Sequence, residues 1–241
     1  MNNNDFFEWF KESDMYKQIM EDYSPDLILL GGSRDMGVAS AKSDYDIIIY
    51  TRKSTIKYIN CPLRTHYNDC TVHGYVINIF NYIKMLQYEL QAVDSLFNWY
   101  ELTSLIKPKN IIYKTEQGEL FYNYLNNYRE DLINLGIEAI CRILNTELKT
   151  LYETRNFVAY DNKRFFHLLM AYQALNPEQS ELVITLIKKI RTVSTAFLSN
   201  EDKNNLMNIT KFLYEYSQSH SFQRERLALL QMEELLCHLK Q

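Results

Sequence analysis

At 241 residues, with 46% hydrophobic and 23% charged residues, the chain has ample material for a packed core and is neither disordered nor fibrous in composition. A net charge of −4 with no block of like charges argues against a protein that grips long nucleic acid through its phosphates, because such binding needs concentrated Lys and Arg. The cysteines, Cys61, Cys70, Cys141 and Cys237, are far apart, which predicts reduced thiols and excludes C-x-x-C chemistry.

In chain order, residues 5–22 carry Phe6, Phe7, Trp9, Phe10, Tyr16, Ile19 and Met20 at helical spacing. They predict an amphipathic helix, stopped by Pro25, whose aromatic face packs on a sheet. The opening Met1–Asp5 shows no basic and then apolar leader, and no apolar run reaches the roughly 18 residues of a membrane span. A cytoplasmic location with no membrane partner is expected. Leu27-Ile28-Leu29-Leu30 reads as a buried strand, 31–40 as a turn and short helix, and 45–50 as a second strand. Residues 65–80 read as further sheet, with Asn68-Asp69 as a turn. From Asn81 the period becomes helical, with Ile83, Leu86, Leu90, Val93 and Leu96-Phe97 in one stripe. Lys107-Pro108-Lys109-Asn110 marks a boundary. Beyond it, helices are expected at 117–134, 136–156, 161–175, 180–198, 202–218 and 222–240. The expected architecture is an α/β (α+β) N-terminal domain over 1–110 with a small mixed sheet, followed by an all-α C-terminal helical bundle over 111–241.

The chemistry concentrates between residues 31 and 46. Gly31-Gly32-Ser33-Arg34 follows the first strand, and Asp44-Tyr45-Asp46 opens the second. Backbone N–H groups of a glycine-rich turn can hold phosphate oxygens. Carboxylates at i and i+2 of a strand project from one face and can hold Mg²⁺ beside those phosphates. The five histidines, His66, His73, His167, His220 and His238, show no H-x-x-x-H spacing.

This pairing resembles the glycine-serine and aspartate-x-aspartate signature of the DNA polymerase β-like nucleotidyltransferase superfamily. The string Gly32-Ser33-Arg34, Gly37, Ala39 and Ser43-Asp44-Tyr45-Asp46 looks more narrowly like the predicted bacterial and phage nucleotidyltransferases of that superfamily, over residues 27–50. The resemblance implies Mg²⁺ or Mn²⁺ held by Asp44 and Asp46. It also implies an NTP, with ATP expected, lying against Gly31, Gly32 and Ser33, with Arg34 as an additional charge partner. NMP would pass to an acceptor hydroxyl of a small molecule, a protein or a tRNA end, with release of pyrophosphate. Lys163 and His167 are spaced as a lysine and a histidine are in some of these relatives. At i,i+4 on one predicted helix face, Lys163 would meet the triphosphate and His167 the base or acceptor.

Active relatives carry a third acid between two apolar residues on a neighbouring strand. Here that pattern falls on Asn78, in Ile77-Asn78-Ile79. Its amide can lend a carbonyl oxygen to a metal but brings neither charge nor a base. Asp69 lies upstream, and Asp94 and Glu101 downstream. Without a third acid, the alternative is a catalytically weak or inactive nucleotide-binding regulatory protein, as in a toxin–antitoxin or phage-related system.

Overall fold

The computed structural model describes residues 3–35, 37–53, 55, 58–84, 110–127, 149, 153, 162–193, 197–219, 235 and 237–239. Most of the expected helices over 136–156 and 222–240, the stripe beyond Ile83, and Asp94 and Glu101 lie outside them. The chain divides into two compact units, one of residues 1–90, 100–129 and 225–241, the other of 91–99 and 130–224.

The first unit is built on five strands, β1 (Leu27–Gly31), β2 (Tyr45–Thr51), β3 (Tyr58–Tyr67), β4 (Cys70–Asn78) and β5 (Ile111–Lys114), in the order β3-β4-β2-β1-β5. The sheet is mixed, as expected: β2 and β4 run parallel, and the other neighbouring pairs are antiparallel. Strands β1 and β2 occupy its interior, so their unbroken apolar runs are buried on both faces. On one face Ile28, Leu30, Ile47, Ile49, Val72 and Val76 pack with Phe6, Phe10, Met15 and Ile19. On the other, Tyr50 meets Tyr82 and Phe121, with ring centroids at 5.5 and 5.2 Å.

The aromatic helix predicted over 5–22 is two helices, α1 (Asn3–Glu12) and α2 (Asp14–Tyr23). Ser13 makes the break. Its hydroxyl caps α2 by accepting from the Tyr16 N–H at 3.1 Å and donates to the Phe10 carbonyl at 2.6 Å. Ser24, in the left-handed region at φ 44°, ends α2 one residue before Pro25. The turn after β1 leads into α3 (Gly32–Asp35). The Asn68-Asp69 turn has both residues at positive φ (45° and 62°), the backbone that suits a two-residue hairpin, and joins β3 to β4.

Two strands extend beyond the sequence reading. β3 begins at Tyr58 rather than near 65; Pro62 had hidden it, but β3 is a sheet edge, where a missing N–H is tolerated, and its register shifts between Ile59 and Leu63. β5 falls in the stretch read as wholly helical. It is four residues long, too short to show a period, and it closes the sheet against β1. Beyond residue 110, β5 and α5 (Glu116–Asn127) belong to the sheet-bearing unit.

Asp26, just before β1, gathers this edge. Buried to 4% exposure, its carboxylate accepts from the backbone N–H and Nε of Arg52 and from the Thr115 hydroxyl, all at 3.1–3.2 Å. Arg52 also donates through Nη1 to the carbonyl of Leu239 at 3.0 Å. Helix α4 (Ile79–Lys84) follows β4 directly.

The described part of the second unit is helical: α6 (Asn162–Leu175), α7 (Ser180–Thr192) and α8 (Asn200–Ser219), with α7 and α8 packed on α6. Phe165, Leu169, Val183, Leu186, Ile187, Ile190, Leu206 and Leu213 are buried there. Ser199 caps α8 by accepting from the Asp202 N–H at 3.1 Å, and Lys189 of α7 reaches the Asp202 carboxylate at 2.7 Å. The Lys189 and Ser199 hydrogen bonds hold the Asp202 carboxyl below the ordinary value of 3.8, against the opposing effect of burial. A carboxylate depressed in the folded state contributes stability that is present above its unfolded pKa and is lost as pH falls through the folded value. Asp202→Asn should therefore flatten the acid side of the melting-temperature profile, at and below about pH 4. An unchanged slope there in a thermal melt series would refute the assignment. No described helix is long and apolar enough to cross a membrane.

Candidate active site

Antiparallel pairing of β1 with β2 sets Gly31 opposite Asp46, so the glycine turn and the second aspartate meet at one end of the sheet. The contact is close. A Cβ added to Gly32 would lie 2.0 Å from Oδ2 of Asp46, and Gly32 has φ +65°. The backbone angle requires glycine, and any side chain there would push the Asp46 carboxylate aside. Asp46 is half-buried, and Asp44, two residues earlier at the mouth of β2, is exposed. Ser33, the second residue of α3, is buried, and its carbonyl accepts from the Val38 N–H at 3.0 Å.

The structure thus brings Gly31, Gly32, Ser33 and Asp46 together, with Asp44 at the adjoining strand end. Arg34 is differently placed from the expectation of a phosphate partner. Its guanidinium donates to the carbonyls of Ser43 and Asp44 and lies over the Tyr45 ring. Burial pushes the Tyr45 phenol up, with Arg34 acting in the opposite direction.

Asn78 is not beside the aspartates. In the parallel β2/β4 ladder the partner of Asp46 is His73, and Asn78 pairs with Thr51. Five residues of strand separate those levels, roughly 16 Å, and alternation puts Asn78 on the opposite face. Its duty is structural. Oδ1 accepts from the Asn81 N–H, capping α4, and Nδ2 donates to the Lys53 carbonyl, both at 3.0 Å. Asn78→Ala should cost about 1–2 kcal/mol of stability, the usual worth of a lost cap, without altering Mn²⁺ affinity. Weakened Mn²⁺ binding in a variant that melts normally would reinstate Asn78 as a ligand.

Level with Asp46 on β4 stand two residues that motif reasoning missed, His73 and Tyr75. They share the Asp46 face of the sheet. The Tyr75 hydroxyl donates to Oδ1 of Asp46 at 3.4 Å, and its oxygen lies 3.4 Å from Nδ1 of His73. The signal was the alternation Val72-His73-Gly74-Tyr75-Val76, apolar or small toward the helices and polar on the other side. Only the register, a tertiary property, aligns it with Asp46.

Asp69 sits in the hairpin turn. Lys163 and His167 both lie on α6, one turn apart, in the other compact unit; their side chains are outside the described residues. Among the described residues, no group of three or more His, Cys, Asp or Glu is arranged to hold a metal ion. Two carboxylates from one strand end, with triphosphate oxygens and water completing the shell, make the donor set Mg²⁺ ordinarily takes. Asp44 and Asp46 could therefore supply two of the oxygen ligands of such an ion.

No protein-family model matches the chain, and no curated protein matches it. Among solved structures it matches a nucleotidyltransferase-like protein from Exiguobacterium sibiricum 255-15, at 14% identity over 94% of this chain and 80% of that one, with a TM-score of 0.34.

Proposed function

We propose that this protein is a nucleotidyltransferase that moves NMP from an NTP to an acceptor hydroxyl, with pyrophosphate leaving. One observation carries the reading: the Asp46 carboxylate packs directly on Gly32, so a metal-binding acid and a phosphate-holding turn adjoin. In this reading the N–H groups of Gly32 and Ser33 and the Ser33 hydroxyl hold the triphosphate. Asp44 and Asp46 bind Mg²⁺ or Mn²⁺, which neutralises the phosphates and acidifies the acceptor hydroxyl. The acceptor oxygen attacks in line, forming a bond to the α-phosphorus as the bond from that phosphorus to the bridging oxygen breaks. The electron pair leaves with pyrophosphate, and the hydroxyl proton passes to solvent. Positioning and charge neutralisation carry such chemistry, so no side-chain nucleophile is needed.

A second reading is favoured by His73 and Tyr75, rather than an acid, standing level with Asp46 on β4: nucleotide binding without turnover, in a regulatory role. One experiment separates them. The protein is incubated with each α-labelled NTP, Mg²⁺ or Mn²⁺, and fractions of protein, RNA and small molecules. Label transfer that vanishes in Asp44→Ala and Asp46→Ala supports the enzyme. Tight Mg·NTP binding with no transfer in any fraction supports the regulatory reading, and absence of both sinks the site altogether.

A further inference from the structure

Arg34 links the glycine turn to the two aspartates, and its bonding is unlike that of a phosphate ligand. The side chain belongs to a residue only 7% exposed. Nε donates to the carbonyls of Ser43 and Asp44 at 3.1 and 3.2 Å. Nη2 donates to Ser43 as well and lies 3.4 Å from Sγ of Cys70, whose thiol in turn donates to the Ala41 carbonyl at 3.1 Å. The guanidinium carbon is 3.6 Å from the centroid of the Tyr45 ring. Phe6 of α1 stacks on that same ring at 3.9 Å, with an interplanar angle of 16°. Two flat groups this close cannot share one face, so Tyr45 is held between them. Tyr45 is the residue between Asp44 and Asp46.

We propose that Arg34 is the positioning residue of the aspartate pair: by fixing the Asp44 carbonyl and the Tyr45 ring, it sets the separation and direction of the two carboxylates. This rests on the nucleotidyl-transfer reading of the site. Arg34 acts on the metal-binding groups through the backbone and not on the triphosphate. α1 is the other jaw of the clamp, which gives the aromatic helix at residues 3–12 a part in the site although its buried side chains, Phe6 and Phe10, lie in the core.

Charge and position predict opposite signs. Were Arg34 only a nearby cation, deleting it would tighten divalent-cation binding at the two carboxylates. As a positioning group, its loss weakens that binding, by the roughly 10- to 100-fold typical of groups that orient a metal-binding carboxylate. Lysine keeps the charge but cannot reproduce the planar fork or the stack. The test is titration of the nucleotide-free protein with Mn²⁺, followed by electron paramagnetic resonance, for wild type, Arg34→Lys and Arg34→Ala. Binding of Mg·ATP is measured in parallel. The expected result is a loss of about tenfold or more in Mn²⁺ affinity in both variants, with no rescue by lysine. Unchanged or tighter Mn²⁺ binding, or full rescue by lysine, overturns the inference while leaving the site intact. Wild type that binds neither Mn²⁺ nor Mg·ATP overturns the nucleotidyl-transfer reading and the inference with it. Should the Arg34 variants not fold, Tyr45→Leu decides the matter, because it removes the ring and leaves the charge. A comparable loss supports the clamp, and wild-type Mn²⁺ affinity refutes it.

Discussion

Asp46→Asn is expected to lower NMP transfer by at least about a hundredfold, since a group that holds charge-neutralising metal at a reacting phosphate is worth several kcal/mol. The fold should not suffer. Asparagine has the same shape, its carbonyl oxygen can still accept from Tyr75, and the contact with Gly32 is preserved in size. Removing one of two neighbouring negative charges relieves repulsion, so the melting temperature should hold or rise slightly. Transfer within a few-fold of wild type would sink the site as drawn. A large loss accompanied by a collapsed melting temperature would show Asp46 to be structural rather than catalytic. Mn²⁺ affinity, read on the same preparation, should fall together with the rate.

The largest effect on stability is expected from Gly118→Ala. A Cβ there would lie 1.9 Å from the Asp26 carbonyl oxygen and 2.6 Å from its carbon. Unlike the flexible carboxylate facing Gly32, this neighbour is backbone and cannot turn aside. Asp26 is fastened by its N–H to the Tyr50 carbonyl and by its own carbonyl to the Thr115 N–H, both at 2.8 Å. Helix α5 must therefore retreat from β1 as a body. Doing so disturbs the cap in which the Gly118 N–H donates to the Thr115 hydroxyl at 3.1 Å. The cost should reach or exceed the roughly 3 kcal/mol at the top of the usual overpacking range. At about 2–4 °C per kcal/mol for a chain of this size, that is a fall of roughly 10 °C in melting temperature. A variant melting within about 2 °C of wild type would mean that α5 does not sit as closely as described. The two glycine contacts thus differ in kind: at Gly32 the neighbour is a side chain that can turn, at Gly118 it is a piece of backbone that cannot.

Much of this could be read from the chain alone, and the gaps have physical causes. The strands at 27–31 and 45–51 announced themselves because interior strands are apolar on both faces. The Asn68-Asp69 turn was legible because few residues accept positive φ twice in succession. The break at Ser13 was missed because the aromatic stripe runs on across it, so the period does not change where the helix does. β5 was missed because four residues carry no period and its only reason to be a strand is β1, more than eighty positions earlier. Asn78 was misplaced for a related reason: an apolar-x-apolar pattern marks a strand but not its register. Pairing Asp46 with His73 rather than with a residue near 78 is decided by where β2 and β4 lock together. Arg34 was read as a charge partner of the triphosphate, since nothing local shows that the carbonyls of Ser43 and Asp44 will come round to meet it.

The hydrogen bond from Arg52 to the Leu239 carbonyl bears on how the molecule is made. It joins residues 187 positions apart, and Leu235 and Leu239 are both buried. Arg52 is also the group that neutralises Asp26 at the foot of β1. The sheet-bearing unit is therefore completed by chain synthesised long after its strands, with the helices of the second unit translated in between. During translation the N-terminal strands must wait, partly finished, for that distant segment. Contacts of such sequence separation slow folding and lengthen the exposure of sticky intermediates. Refolding from denaturant should accordingly show a late phase in which the segment around Leu239 docks and the Arg52 guanidinium gains the Leu239 carbonyl as a partner.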